Sequence, residues 1–120
     1  MLERKLALFA LFAVGIFVAS MVALAYRTST PGGAVLQVAI VDYAFSPSSL
    51  TVKVGTTIRW VNMDFVEHTV SFGTHDNPTG VESPLLGHMG SFGYTFREPG
   101  TYEYHCDPHP YMTGSVIVNS

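Results

Sequence analysis

Leu50-Thr51-Val52-Lys53-Val54-Gly55-Thr56-Thr57-Ile58-Arg59-Trp60 alternates apolar and polar residues on either side of one glycine. Successive side chains of a β-strand point to opposite faces, so Leu50, Val52 and Val54 share a face, as do Ile58 and Trp60. The pattern predicts a hairpin turning at Gly55 with one apolar face. Upstream, Leu36, Val38 and Ile40 carry the same period; downstream, Val70 and Phe72 carry it, then Phe92, Tyr94 and Phe96. Pro99-Gly100 turns the chain into residues 101–106, and residues 115–119 close the pattern. Seven strands at this spacing, without helical periodicity, predict an all-β fold, a two-sheet antiparallel sandwich or a flattened barrel. Residues 74–90 lack alternation and contain Asn77-Pro78, Gly80, Pro84, Gly87 and Gly90, which predicts a long loop.

Ahead of this domain, residues 6–26 carry no charge and follow Glu3, Arg4 and Lys5. As a helix such a run reaches across a hydrocarbon layer of about 30 Å, with the basic pair on the cytoplasmic side. Ala23-Leu24-Ala25 also suits a signal-peptide cleavage site, but the run exceeds an h-region of about 7–15 residues, which favours an uncleaved anchor. Residues 1–26 therefore read as membrane anchor or signal peptide, 27–33 as a breaker-rich linker, and 34–120 as one folded domain. Both export readings place that domain outside the cytoplasm, on the periplasmic side or the outer face of the membrane. The whole chain has a formal charge of −3 from 6 basic and 9 acidic residues, with no basic run, which argues against a nucleic-acid partner. A single cysteine, Cys106, excludes an internal disulfide and makes a protected or metal-bound thiol the expectation outside the cytoplasm.

The chemistry concentrates in Tyr102-Glu103-Tyr104-His105-Cys106-Asp107-Pro108-His109-Pro110-Tyr111-Met112. Alternation sends Tyr102, Tyr104 and Cys106 inward, and Glu103 and His105 outward. His109 and Met112 follow Cys106 on a short loop stiffened by Pro108 and Pro110. His68 aligns with Val70 and Phe72 on an inward face and completes the set. Two imidazoles, a thiolate and a weak thioether match the trigonal His₂Cys site with a long axial Met used for copper electron transfer. Copper(II) with one thiolate carries one net positive charge and copper(I) none, so a partly buried site never has to solvate a large charge.

The alternatives are weaker. A Cys/His hydrolase needs an oxyanion site and a cleft, for which the sequence offers no candidate. Zinc is poorly served by Met and by this spacing. A copper capture or delivery protein, the alternative to an electron carrier, usually has an open Met- or His-rich site. His75 and His88 lie in the long loop and read as solvated, with weak binding of a second metal as the other reading. Met63 and Met89 read as gap-fillers or exposed residues, and Trp60, Phe92, Tyr94 and Phe96 as core.

With these residues in place, the chain resembles the cupredoxins, and within them the amicyanin and plastocyanin group. The resemblance covers nearly all of residues 35–119. It is carried by Tyr43-Ala44-Phe45-Ser46-Pro47, Trp60-Val61-Asn62, His68-Thr69-Val70 and the short, amicyanin-like loop from Cys106 to Met112. It implies a Greek-key β-sandwich and one type 1 copper, cycling between Cu(I) and Cu(II), in a monomer that shuttles electrons and is not an enzyme. Donor and acceptor proteins are expected to dock near Pro108, His109, Pro110 and Tyr111. The group usually has Asn after the first His, where Thr69 stands, and Thr or Ser after the Cys, where Asp107 stands. Those neighbours brace the ligand loops and hydrogen-bond around the sulfur.

Overall fold

A computed structural model describes residues 33–120, which form nine strands and no helix. The strands are β1 (Val35–Val41), β2 (Ala44–Ser46), β3 (Ser49–Lys53), β4 (Thr57–Asn62), β5 (Ser71–Gly73), β6 (Pro78–Glu82), β7 (Ser91–Thr95), β8 (Gly100–His105) and β9 (Thr113–Asn119). One sheet has the order β2-β1-β4-β7 and the other β3-β9-β8-β5-β6. The helix expected within residues 1–26 lies outside the described residues. Among the described residues, no helix is long and apolar enough to cross a membrane.

The sandwich is the expected one, with three differences of detail. Residues 50–60 do not form a hairpin: β3 pairs with β9 in one sheet and β4 with β1 and β7 in the other. Val54 and Gly55 carry the chain between the sheets, Gly55 at φ 94°, a conformation that glycine adopts without penalty. Both strands still turn their apolar residues to one core, because two facing sheets require the same alternation as two paired strands. The second difference follows from the first. Since β3 crosses to the opposite sheet, β4 returns beside β1 in the same direction, and the β1–β4 and β3–β9 pairs are parallel within otherwise antiparallel sheets. Third, the stretch expected as a long loop contains β6, irregularly paired with β5 through a bulge between Ser71 and Gly73. A strand carrying Pro78 and Gly80 has no alternation to read.

The core lies between the sheets. Val38 and Ile40 from β1, Ile58 and Trp60 from β4, Tyr104 from β8, and Val116 and Val118 from β9 are all buried. Leu36, expected beside Val38, is exposed near the start of β1. Trp60 stands edge-on to Tyr104 at 5.3 Å and to Phe72 at 6.2 Å between ring centroids, so the aromatics of both sheets interlock. At one end of this core lie the residues of the candidate site.

Candidate metal centre

Cys106 follows β8 directly and continues its inward face, and it is fully buried. Its N–H donates to the Met112 carbonyl (3.1 Å), while the Met112 N–H donates to the His109 carbonyl (2.9 Å). These bonds close the loop over itself and return the chain to β9. His68 lies in the connection between β4 and β5. Its backbone exchanges hydrogen bonds with Leu86, 3.1 Å from His68 N to Leu86 O and 2.8 Å in reverse. The buried Asn62 fixes the same region, donating from Nδ2 to the carbonyls of Val66 (2.9 Å) and Leu86 (2.8 Å).

These elements converge. The Nδ1 atoms of His68 and His109 lie 3.5 and 3.6 Å from Cys106 Sγ. Donors about 2.0–2.3 Å from one centre, at angles of about 110–120°, are themselves about 3.5–3.8 Å apart. The observed separations therefore fit a shared ion. Met112, 2% exposed, packs in the same core cluster as Cys106. His68 is fully buried, whereas His109 is half-buried between exposed Pro108, Pro110 and Tyr111.

Around these side chains, neighbours fix their orientation. His68 Nε2 lies 2.8 Å from Asp64 Oδ2, so the ring donates there and leaves the Nδ1 lone pair toward the sulfur. The same carboxylate accepts the N–H groups of Asp42 (2.7 Å) and Tyr43 (3.0 Å). Burial pushes the Asp64 carboxyl up, but these N–H groups and the His68 ring outweigh it and hold the group below its ordinary value. Asp42 and Tyr43 form the β1–β2 turn with φ of 54° and 58°, a left-handed pair that costs about 1–2 kcal/mol per residue. Held by Asp64, this turn stands the Tyr43 ring edge-on to His68 (5.5 Å) and His109 (5.0 Å).

Thr69 and Asp107, the two departures, meet each other. Thr69 N–H points at Cys106 Sγ (3.4 Å), and its hydroxyl accepts the Asp107 N–H (2.9 Å) and lies 3.0 Å from Ser71 Oγ. The threonine hydroxyl thus ties the two ligand segments together. The Asp107 carboxylate also reaches His105: its Oδ1 lies 2.8 Å from His105 Nε2. The neighbouring Glu82 carboxyl holds that of Asp107 below its ordinary value, and Asp107 in turn raises that of Glu82. His105 leaves the sandwich as expected but is buried, covered by the β5–β6 turn. In the core behind the site, burial pushes the Tyr104 phenol up.

All four sequence-predicted residues are thus gathered at one end of the sandwich. Met63 and Met89 are exposed, and His88 stacks on Phe65. Sequence reasoning missed Asp64 and Tyr43. The left-handed turn is invisible in a period-two pattern, and the i, i+4 spacing of Asp64 and His68 was a signal that went unread.

Comparison with known proteins agrees with this geometry. The profile of copper-binding proteins of the plastocyanin/azurin family matches residues 33–119. Amicyanin from Paracoccus denitrificans is 37% identical over 83 residues, covering 66% of this chain and 63% of that protein. Plastocyanin from Scenedesmus fuscus is 36% identical over 83 residues, covering 62% and 85%. A Cu(I) structure of an amicyanin variant superposes with a TM-score of 0.64 at 33% identity, over 77% of this chain and 88% of the other. A purple cupredoxin from Nitrosopumilus maritimus gives 0.65 at 31%, over 70% and 99%. A two-sheet sandwich, a His68-Cys106-His109 cluster with Met112 buried in the same core and a profile matching residues 33–119 lead to one assignment: the chain belongs to the plastocyanin/azurin family of copper-binding proteins, the cupredoxins.

Proposed function

We propose that this chain is an extracytoplasmic one-electron carrier in which His68 Nδ1, Cys106 Sγ, His109 Nδ1 and the Met112 thioether hold a single copper ion. The observation that carries the reading is the pair of Nδ1···Sγ separations, 3.5 and 3.6 Å, in a pocket where every ring has its second nitrogen or its face fixed by a neighbour. When bound, copper supplies a Cu(II)/Cu(I) couple. The chain's own residues do the rest. Asp64 holds His68, Thr69 holds both ligand segments, and Met112 and the core exclude water from the inner side. A donor set fixed before the electron arrives moves little when it does.

His109 is the half-buried residue of the cluster, and around it Pro108, Pro110 and Tyr111 form an exposed collar, Tyr111 at 70% exposure. We read this as the face on which redox partner proteins dock, because the His109 ring edge is the shortest way out. Encounters of this kind need only a small patch. The apolar run at residues 6–26 supports export of the domain, tethered if the run is retained.

The test is spectroscopic. Copper-loaded protein should show an intense visible thiolate-to-copper band and the paramagnetic resonance of a type 1 centre, and Cys106→Ser should abolish both. A colourless copper complex, or colour that survives Cys106→Ser, sinks the proposal. Tyr111→Ala should slow electron exchange with a partner while leaving the spectrum intact.

A further inference from the structure

A second cluster lies beside the copper pocket, its side chains turned to another face. His105 leaves β8 on the face opposite Cys106 and is 1% exposed. Its Nδ1 lies 2.8 Å from the Gly73 carbonyl and its Nε2 lies 2.8 Å from Asp107 Oδ1. A carbonyl only accepts, so Nδ1 carries the hydrogen and donates. In the neutral ring Nε2 then presents a lone pair to a carboxylate oxygen, which also only accepts. Two facing acceptors need a positive centre shared between them, a proton or a metal ion. An imidazole with one nitrogen anchored on a carbonyl and the other left free is the usual posture of a metal ligand.

A third donor is close by. One donor atom each from His75, His105 and Asp107 lies within 4.8 Å of the other two. His75 sits in the turn between β5 and β6, held by Thr74 N–H to Asn77 O (3.3 Å) and Asn77 N–H to Thr74 O (3.1 Å). Its ring stands at 88° to that of His105, with centroids 6.1 Å apart. His75 and His105 line one open cleft with Asp76 and Tyr111, which gives an ion a way in. Glu82, which accepts from Ser71 Oγ (3.3 Å), adds acidic character nearby.

We propose that His75, His105 and Asp107 form a second metal site, for a zinc ion, on the opposite face of β8 from the copper pocket. Two imidazoles and a carboxylate with an open fourth position are a donor set that zinc accepts. Nitrogen and oxygen bound to one tetrahedral zinc lie about 3.3 Å apart, so Asp107 moves outward by about half an ångström from its hydrogen-bonded position. The Asp107 and His75 side chains are both exposed and free to make that adjustment. His105 and Cys106 are adjacent, so zinc places positive charge beside the copper centre and favours its less positive, reduced form. Zinc then raises the reduction potential, and reduction of copper tightens zinc by the corresponding factor. This coupling rests on the copper reading above; the site itself does not.

The test titrates zinc sulfate into the reduced, copper-loaded full chain in detergent micelles, following imidazole nitrogen resonances. His75 and His105 signals should shift together and saturate at one zinc per chain with copper retained. His75→Ala should weaken that binding at least tenfold. Voltammetry should show a positive shift with zinc that His75→Ala removes. Absence of saturable shifts, uptake only with loss of copper, or equal affinity in His75→Ala overturns the site and leaves a proton as the link. Saturable binding with an unmoved potential overturns the coupling. Failure of the copper reading shows separately, as a missing visible band in the oxidised protein.

Discussion

Asp64 Oδ2 lies 2.8 Å from His68 Nε2, on the ring edge away from Cys106, so an i, i+4 pair in an irregular segment sets which nitrogen faces the sulfur. The same carboxylate holds the left-handed Asp42–Tyr43 turn. One side chain joins a candidate ligand to the ring that shields it.

Asp64→Ala should therefore have two effects. Copper affinity, read by competition with a chelator, should fall by about 10–100-fold, the usual cost of losing an outer partner of a metal-bound histidine. Stability of the metal-free protein in urea should fall by about 0.5–1.5 kcal/mol, because water can replace the acceptor of the two exposed N–H groups. Unchanged copper affinity would mean that packing alone orients His68.

Thr69→Val keeps the shape of the residue and removes its hydroxyl. The Asp107 N–H then has no acceptor at the joint of the two ligand segments. A loss of about 1–3 kcal/mol is expected in urea unfolding, together with faster amide exchange at Asp107 by NMR. Thr69→Ser should restore most of both.

Met112→Ala should separate packing from ligation. In the metal-free protein, truncating a side chain only 2% exposed should cost about 2–5 kcal/mol. In the copper-loaded protein, voltammetry should show an altered reduction potential through loss of the thioether donor. A potential equal to that of the parent would remove Met112 from the ligand set.

Gly114→Ala tests the core beneath the site. Gly114 opposes Tyr104 across the β8–β9 pair, and a methyl group there runs into the Tyr104 ring, which Phe45 and Trp60 hold at centroid distances of 4.7 and 5.3 Å. Overpacking of this kind costs about 1–3 kcal/mol. Trp60 is the chain's one tryptophan and is fully buried, so its fluorescence reports the unfolding directly.

Much of the sandwich was legible because alternation depends only on which face is buried. Val38 and Ile40, Ile58 and Trp60, and Val116 and Val118 are inward as their spacing predicts. Pairing was less legible. The same alternation suits a hairpin and two strands in facing sheets, so residues 50–60 gave the strands without their partners. The four candidate ligands could be named because three sit on one short loop and the fourth on an inward face. Asp64, Tyr43 and the burial of His105 could not, since they depend on a left-handed turn and on a β5–β6 turn folding over β8.

The loop from Cys106 to Met112 is fastened at its own neck, where the first residue's N–H reaches the last residue's carbonyl. Strands β8 and β9 therefore meet at a closed neck, and the turn beyond it is clamped at both ends by the chain itself, whether or not an ion is present. The hairpin tip thus arrives prefolded, and its donors need no ordering when the ion comes.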